Sequence, residues 1–522
     1  MKLLSCKGQA YRDGRVCSKE QIHSHGQTYH KGQVHSHGQT HKDKPALLLS
    51  ISLCLLALAV LTLPVGNQAY AAQSGGWTYV IRNEKKGKMG AGAYITKYTG
   101  KSTSIILPAS LGGQPVVSAK LTNNKKKLTQ VNTAAVPTLR ELNVKGNALT
   151  SLNLSANPQL RVLEAGSNKL QSVRLGNKPE LTRAVLSKNG LITLDVSAKS
   201  TPKLSHLDIA GNKFTQFDLR NVPNIVSFKA ANNHIDRFNA IGALEIKQLD
   251  VANNRLKTLI VNGNSKLEQL NCSKNNLTHL SLLGLTRLSV LRCSNNKLTS
   301  LVVAAAPSLK RLDCSKNNLE SLTLVANPRL EHLSVSNNKL TSLNVLLNPE
   351  LKYLACGSNR LTFLDVGFNR KLETLAVSGN RLTLLNLKNN PELKKLSCGS
   401  NQLVILDLRS NKKLQSLQCN NNVLTSLNVS ANTALKTLRC DKNLLTSLNT
   451  SKNTQLQTLQ CQNNLLTSLS LSKNTNLTKI FAERNLFTSL DVRGLAKLKQ
   501  LRVSQGVKVQ QNIGTISISY VR

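Results

Sequence analysis

The chain has 522 residues, of which only 3% are aromatic and one is tryptophan, and this argues against an enzyme with a large aromatic core. It contains 69 Lys and Arg against 25 Asp and Glu, a formal net charge of +44, which favours anionic partners. Hydrophobic residues make up 40% of the chain, which is enough for a folded protein and too many for a disordered one.

The N-terminal region contains one long apolar stretch, Leu47–Leu63, which carries no charge and is preceded by lysines. Small residues at alternate positions follow it and end at Ala71. Such an arrangement is typical of a secretory signal, so we predict a signal peptide over 46–71 that is cleaved after Ala71. A membrane-spanning helix is the alternative, although an apolar core of about 17 residues is at the short limit for crossing a bilayer.

Residues 1–45 precede this signal and are rich in His and Gly. The sequence His-Ser-His-Gly-Gln-Thr occurs twice, at 23–28 and at 35–40. Histidine-rich tracts can bind copper or zinc. The low complexity of the segment favours the simpler interpretation, a disordered extension that takes no part in the fold.

Residues 72–120 do not share the pattern of the rest of the chain. Short runs at 79–81, 93–95 and 104–108 alternate with glycine-containing turns, which predicts a small β module. The run from Tyr98 to Val116 resembles the start of BspA-like bacterial surface repeats. We expect the module to cap the first coil of the repeats that follow, because an exposed solenoid end is an open sheet edge.

From residue 121 to residue 506 the chain is a repeat. Asparagine recurs every 21 residues, with a single interval of 23. These asparagines are Asn147, Asn168, Asn189, Asn212, Asn233, Asn254, Asn275, Asn296, Asn317, Asn338, Asn359, Asn380, Asn401, Asn422, Asn443, Asn464 and Asn485. The unit is L-x-x-L-x-[CV]-x-x-N-x-L-T-S-L-x-[LV]-x-x-N-x-x. Because Leu291 and Cys293 alternate with polar neighbours, each unit contains a short strand with one buried face.

This unit resembles the leucine-rich repeat, and its length, its T-S-L half and its cysteine column are most similar to the cysteine-bearing internalin J kind of bacterial repeat. The resemblance implies a right-handed solenoid of about 17 coils with a parallel β-sheet on its concave face. Too few residues remain in each unit for a long helix, so we expect a convex side that is extended or in short 3₁₀ turns. The coils must stack, because a single coil buries its apolar residues against nothing. Residues 507–522 are expected to add a C-terminal cap strand.

The repeated asparagines are expected to be structural, because a buried amide needs partners and a stacked column can supply them as a ladder. The ladder positions that we single out are Asn275, Asn296, Asn317, Asn338, Asn359, Asn380, Asn401 and Asn422. A second, looser asparagine column lies ten residues further along the unit and is expected to serve the opposite turn.

Eight cysteines occupy one further column, three residues before a ladder asparagine, where other coils carry Val or Leu. They are Cys272, Cys293, Cys314, Cys356, Cys398, Cys419, Cys440 and Cys461. An exported chain with many cysteines invites disulfides or a metal site. A line of side chains does not converge on a tetrahedral metal, however, and free cysteine behaves as a small hydrophobe. We predict reduced, buried thiols, no metal and no cofactor.

The exposed face of the sheet is the first candidate binding surface. The residues that flank the buried leucine of each strand point outward and vary from coil to coil, and Tyr and Arg are common interface anchors. The candidates are Arg292, Arg311, His332, Tyr353, Lys395, Gln418 and Arg439. Arg292, Arg311, His332 and Tyr353 are expected to form one patch. The alternative is that exposed positions vary without a binding role.

One rim of the solenoid is the second candidate. Lysines and arginines flank the ladder asparagines, and no acid occupies either flanking column. The positions that we single out are Lys274, Lys297, Lys316, Lys339, Arg360 and Arg381. A line of cations favours anionic polymers such as polysaccharide, lipopolysaccharide or extracellular DNA. The alternative is a solvated face.

Catalysis finds little support, because the chain contains no GxSxG, HExxH or phosphate-loop motif and its repeat histidines lie in four separate coils. We expect no enzyme but a secreted or cell-surface bacterial protein. By its resemblance to internalins it would bind a protein or glycan on a host or neighbouring cell. The rival hypothesis is a structural matrix or biofilm protein that holds anionic polymers. We expect a monomer, no specific nucleic-acid partner and no membrane span after signal cleavage.

Overall fold

A computed structural model of the protein describes residues 71–83, 90–122, 126–512 and 516–522. They all fall within one compact unit, Gln68–Arg522. The predicted extension over 1–45 lies outside the described residues, as does the predicted signal peptide up to its last residue. Among the described residues there is no helix with the length and apolarity needed to cross a membrane.

A single sheet of 24 strands dominates the described part of the chain. Twenty of its strands succeed one another in parallel, one for each coil. The pairing is in register, so that Leu291 lies between Leu270 and Leu312. These strands are Gln114–Lys120, Glu141–Asn143, Val162–Glu164, Arg183–Val185, His206–Asp208, Ser227–Lys229, Gln248–Asp250, Gln269–Asn271, Val290–Arg292, Arg311–Asp313, His332–Ser334, Tyr353–Ala355, Thr374–Ala376, Lys395–Ser397, Ser416–Gln418, Thr437–Arg439, Thr458–Gln460, Lys479–Phe481, Gln500–Ser504 and Ser517–Val521. The predicted solenoid with a parallel sheet on one side is confirmed.

Seventeen of these strands, from Glu141–Asn143 to Lys479–Phe481, belong to the coils counted from the asparagines. One more precedes them and two follow, so the sheet continues into both ends of the chain. Every one of the seventeen places a single apolar residue at its centre, and the alternation of a strand turns that residue into the solenoid. The sheet therefore has one buried and one exposed face.

The other side of the solenoid is extended but only partly bridged into strands. Its short strands pair in parallel between coils and are Gln130–Asn132, Ser151–Asn153, Ser172–Arg174, Gln216–Asp218, Arg237–Asn239, Ser489–Asp491 and Lys508–Gln510. In the middle coils the segment is extended without such pairing and closes with single turns, as where Ala306 N donates to Val303 O at 3.0 Å. The expectation of a return segment that is extended or in short 3₁₀ turns is confirmed, because these turns close with hydrogen bonds from residue i+3 to residue i.

The N-terminal strands cover the first edge of the sheet. They are Ala71–Ser74, Trp77–Arg82, Gly92–Tyr98, Ser104–Ile106 and Ser110–Leu111. The first three pair antiparallel, and the third runs parallel to Gln114–Lys120. Trp77 and Tyr98 pack with ring centroids 4.7 Å apart and close the apolar core at this end.

Candidate binding surfaces

The ladder asparagines join each coil to the one before it. The Nδ2 of Asn296 donates to Cys293 O in its own coil and to Cys272 O in the preceding coil, both at 3.0 Å. Its Oδ1 accepts a hydrogen bond from Leu277 N at 3.0 Å. The amide thus donates and accepts with backbone groups inside the solenoid, which is the structural role expected of this column.

The residue before each ladder asparagine adopts a left-handed backbone conformation. Its φ is 55° at Lys274, 53° at Lys316 and 51° at Ser358, and glycine fills the position at Gly379. Two of the predicted rim lysines, Lys274 and Lys316, therefore occupy a strained backbone position, because only Gly and, less readily, Asn tolerate positive φ at low cost. The sequence did not predict this conformation, because Ser, Lys, Asn, Arg and Gly all occur at the position.

The cysteine column lies wholly inside the solenoid. All eight thiols are buried and free within the described residues. Burial raises the pKa of Cys356 to about 12 and that of Cys293 well above its ordinary range. Since the thiolate is the reactive and metal-binding form, these side chains act as small apolar fillers.

Three residues of the sheet face contact one another in series over three coils. The Nη2 of Arg311 lies 3.2 Å from Nε2 of His332. The His332 and Tyr353 rings are parallel within 5°, with their centroids 4.0 Å apart. We call Arg311, His332 and Tyr353 the sheet-face patch. In-register pairing places the three at the same position of successive strands, so one partner surface can contact all of them.

The electrostatics of this patch keep the histidine neutral. Desolvation and then the charge of Arg311 lower the pKa of His332 to about 4, with Arg292 contributing in the same direction and Asp313 opposing it. A neutral imidazole can accept at Nε2 from the guanidinium, which leaves Nδ1–H as the donor to a partner. The patch thus offers a cation, a ring face and a phenol at neutral pH.

The other predicted sheet-face residues are placed differently. Arg292 is half-buried in the coil before the patch, and Lys395 is exposed two coils beyond it. Gln418 is half-buried, and Arg439 Nε is held 2.9 Å from Oδ1 of the buried Asp441. The patch and these four residues therefore share a face but not a single contact cluster.

A second aromatic cluster on the sheet face was missed by the sequence analysis. Phe481 carries Lys479 Nζ at 4.4 Å and the Arg502 guanidinium at 4.9 Å from its ring centroid. Arg502 also pairs with the buried Glu483 at 3.1 Å. In the sequence, Lys479 lies two residues before Phe481, and Arg502 follows Phe481 by one repeat length. This spacing of cations around an aromatic residue could have revealed the cluster.

A groove with a mixed polar and apolar lining opens on the opposite side of the solenoid, near the coil with the 23-residue interval. Ile192, Leu194, Phe217 and Phe238 line it. Phe217 and Phe238 each pack on the buried Phe228, at 4.9 Å and 5.7 Å between centroids. Phe217 and Phe238 stand where most coils carry the leucine of the T-S-L half of the unit, so a consensus of all the repeats does not show them.

The predicted basic rim is a row of unpaired cations. Lys274, Lys297, Lys316, Arg360 and Arg381 are exposed and Lys339 is half-buried. Across the described part of the chain none of the six forms an ion pair. We refer to these six residues as the basic rim.

The opposite edge of the sheet is charged but compensated. Lys352 pairs with Glu331, and Lys394 with Glu373, at 2.9 Å in both cases. A parallel row pairs Lys371 with Glu350 at 2.6 Å and Lys413 with Glu392 at 2.7 Å. Acids alternate with lysines from coil to coil along this stretch of the edge, whereas no acid occupies either column that flanks the ladder asparagines.

The repeat histidines do not assemble into a site. His206 and His332 lie on the sheet face in different coils, whereas His234 follows a ladder asparagine and His279 lies in a return segment. Within the described residues no group of three or more His, Cys, Asp or Glu side chains is placed to hold a metal ion.

Solved structures with the same architecture match the chain. YopM from Yersinia enterocolitica WA-314 is 23% identical, with a TM-score of 0.62 over 80% of this chain and 91% of that one. A leucine-rich-repeat protein of Leptospira interrogans is 23% identical, with a TM-score of 0.57 over 63% of this chain and 92% of that one. The functional domain of InlJ from Listeria monocytogenes, which includes a cysteine ladder, is 26% identical, with a TM-score of 0.49 over 72% of this chain and 70% of that one.

No protein-family model matches the sequence, and no curated protein matches it. The resemblance of residues 98–116 to BspA-like repeats stays a prediction. The chain has the leucine-rich-repeat fold, as its repeat predicted.

Proposed function

We propose that the protein is a binding module that recognises a macromolecule through the exposed face of its sheet. The observation that carries the proposal is the sheet-face patch, in which Arg311 contacts a ring nitrogen of His332 and the His332 ring stacks on Tyr353, over three successive coils. Arg and Tyr dominate the energetics of many protein interfaces because they combine contact area with directed hydrogen bonds.

The surroundings of the patch support contact with a large partner. Thr374 and Ala376 follow in the next coil, and Ala355 lies beside Tyr353, so short side chains border the stack. A partner surface can approach the rings without steric hindrance. Because the strands are held in register from coil to coil, little conformational entropy is lost when the patch is covered.

The partner that we propose is a protein or glycan on a host or neighbouring cell, and the protein would be secreted or displayed at the bacterial surface. Support comes from the apolar stretch over 47–63 followed by a small-residue site, and from the internalin-like repeat. We propose binding in place of catalysis for this chain.

The test is adhesion of the purified chain to cells, with matched variants. Tyr353→Ala and Arg311→Glu should each weaken binding at least about tenfold, the usual effect of removing an interface anchor. Thr437→Ala and Thr458→Ala, at the same strand position four and five coils beyond Tyr353, should bind like the wild type. Unchanged adhesion of both patch variants would exclude the patch.

A second candidate function is favoured by the charge distribution, and it is the binding of anionic polymers by the basic rim. The unpaired cations of this rim contrast with the compensated opposite edge, where Lys352 and Lys394 already have carboxylate partners. Polymer binding should fall steeply with salt because counterions are released, whereas binding by the sheet-face patch should change little. A heparin column eluted with a salt gradient, with Lys297→Gln/Arg360→Gln as the variant, tests this proposal.

A further inference from the structure

The residue directly after each ladder asparagine has the same backbone environment in every coil. Lys339 N donates to Leu319 O at 2.8 Å, and Arg381 N donates to Leu361 O at 2.8 Å. Leu444 N and Leu486 N make the corresponding bonds to Leu424 O and Leu466 O, both at 2.9 Å. These side chains therefore leave the backbone at equivalent points and stand in one row, one coil apart.

The chemistry of this row changes from mostly polar or cationic to aliphatic in the later coils. Lys297, Lys339, Arg360 and Arg381 occupy it in the middle coils. After Gln402 it becomes aliphatic in four successive coils, through Val423, Leu444, Leu465 and Leu486. We call these four residues the aliphatic rim, and they are between 42% and 60% exposed. Four aliphatic side chains in consecutive coils are a contiguous apolar edge and not scattered exposure.

Cations continue beside the aliphatic rim. Lys442 and Arg484 precede ladder asparagines there, with φ of 55° at both positions, and are exposed. No acid occupies either column that flanks the ladder. The two columns that flank the ladder therefore contain no acid, and in the last coils they combine cations with aliphatic side chains.

We propose that this edge of the solenoid docks on an anionic lipid bilayer. The basic rim would contact headgroup phosphates, and the aliphatic rim would enter the boundary between headgroups and acyl chains. This inference rests on the second candidate function, that the basic rim binds anions. It commits to lipid because a soluble polyanion gives Leu444 and Leu465 no apolar surface to contact.

Two weak forces act together in peripheral membrane binding, namely attraction of basic residues to anionic headgroups and burial of apolar side chains in the interface. From Lys297 to Leu486 the row spans nine coil spacings, roughly 43 Å at ~4.8 Å each along the row. Many lipid headgroups fit along that length. Both forces are therefore available to one edge in one orientation.

The experiment is sedimentation of the full chain with vesicles of phosphatidylcholine and phosphatidylglycerol, with soluble heparin as the second ligand. A basic variant carries Lys297→Gln, Lys339→Gln, Arg360→Gln and Arg381→Gln. An aliphatic variant carries Val423→Ser, Leu444→Ser, Leu465→Ser and Leu486→Ser. The control variant, Leu283→Ser/Val302→Ser, changes two aliphatic residues of return segments, which are 67% and 70% exposed. Thermal unfolding of each variant checks that the fold is retained.

The basic variant should lose vesicle binding by on the order of a hundredfold and heparin binding as well. The aliphatic variant should lose vesicle binding by about tenfold and keep heparin binding. The control variant should match the wild type with both ligands. The apolar stretch Leu47–Leu63 could itself bind vesicles, and it is present in every variant. The proposal is therefore tested by the differences in binding between variants and not by wild-type binding alone.

Each other outcome overturns a specific proposal. If the aliphatic variant binds vesicles like the wild type, or if the basic variant loses heparin binding only, the rim does not dock on lipid and the polymer proposal stands. If neither rim variant changes binding of either ligand, both proposals for this edge fall. The proposal for the sheet-face patch is independent of all these results.

Discussion

Thr450 donates a 2.8 Å hydrogen bond from its hydroxyl to Oδ1 of Asn474 in the next coil, and the amide of Asn474 donates back to the carbonyl of Thr450 at 3.0 Å. Thr133 and Asn157 are related in the same way. Elsewhere in this second asparagine column the position of the threonine is aliphatic. There the buried Oδ1 of Asn369, Asn390 and Asn453, among others, has no partner within the described residues.

Threonine at these aliphatic positions should therefore be tolerated in the core. Val429 stands to Asn453 as Thr450 stands to Asn474, because Asn453 Nδ2 donates to Val429 O at 3.0 Å. Val429→Thr should leave the free energy of unfolding within about 0.5 kcal/mol of the wild type, or raise it, since the hydroxyl satisfies Asn453 Oδ1. The control Val377→Thr, equally buried in the cysteine column, should cost about 1–3 kcal/mol in denaturant titration. Equal costs for the two variants would contradict this account.

Lys178 occupies the second asparagine column and replaces the amide with an ammonium. Its Nζ is buried and donates to Leu154 O at 2.8 Å. Desolvation lowers the pKa of Lys178 from 10.5 to about 8. Between those two values the unfolded chain binds more protons, so this residue makes stability rise with pH there. Lys178→Asn should be more stable than the wild type at pH 7, and its advantage should shrink as pH approaches 10. An advantage that is independent of pH would rule out this explanation.

The left-handed position before the ladder asparagine should respond to glycine. Ser358 has a φ of 51°, and Gly379 has a φ of 70° at the same place in the next coil. Ser358→Gly should stabilise the protein by about 0.5–1 kcal/mol, and Gly379→Ser should destabilise it by about 1 kcal/mol. A Cβ at Gly379 would approach Ser358 N no closer than 3.4 Å, so backbone strain and not a clash is measured. Thermal unfolding of the two variants provides the values.

The thiols of the cysteine ladder should not react with thiol reagents in the folded protein. Burial keeps the pKa of Cys356 at about 12, so almost no thiolate exists at neutral pH and access is blocked. The eight ladder thiols should react only after denaturation. Cys356→Val should unfold within about 1 kcal/mol of the wild type, because Val335 and Val377 fill the same position in the adjacent coils. Thiols that remain unreactive in denaturant without reductant would indicate disulfides.

Much of the architecture follows from spacing alone. The 21-residue interval sets which residues stack, and the alternation around Leu291 sets which of them are buried, so the ladder and the sheet were predictable. The partners of the amides were not, because Asn296 bonds to backbone groups that the sequence does not mark. The unpaired Oδ1 atoms of the second column depend in the same way on the three-dimensional arrangement.

The candidate surfaces were predicted less completely than the core. The sequence predicted that His332 and Tyr353 lie close together, but only the structure shows that their rings are parallel. Arg439 looked free in the sequence, yet it neutralises Asp441 two residues away. The alternation of Glu331 with Lys352 at one repeat spacing could have shown that one edge is compensated. Burial does not restrict which residues occupy the exposed columns, so the role of each residue there depends on its neighbours in adjacent coils.

The most direct test of binding through the sheet face is oxidative footprinting of side chains on the chain alone and on the chain bound to the cells to which it adheres. Oxidation of His332 and Tyr353 should fall on binding. Phe363 and Phe368, which are 66% and 65% exposed in a return segment, should be oxidised equally in both states and serve as internal controls. Protection of the two phenylalanines with unchanged oxidation of His332 and Tyr353 would contradict the proposed use of the sheet face.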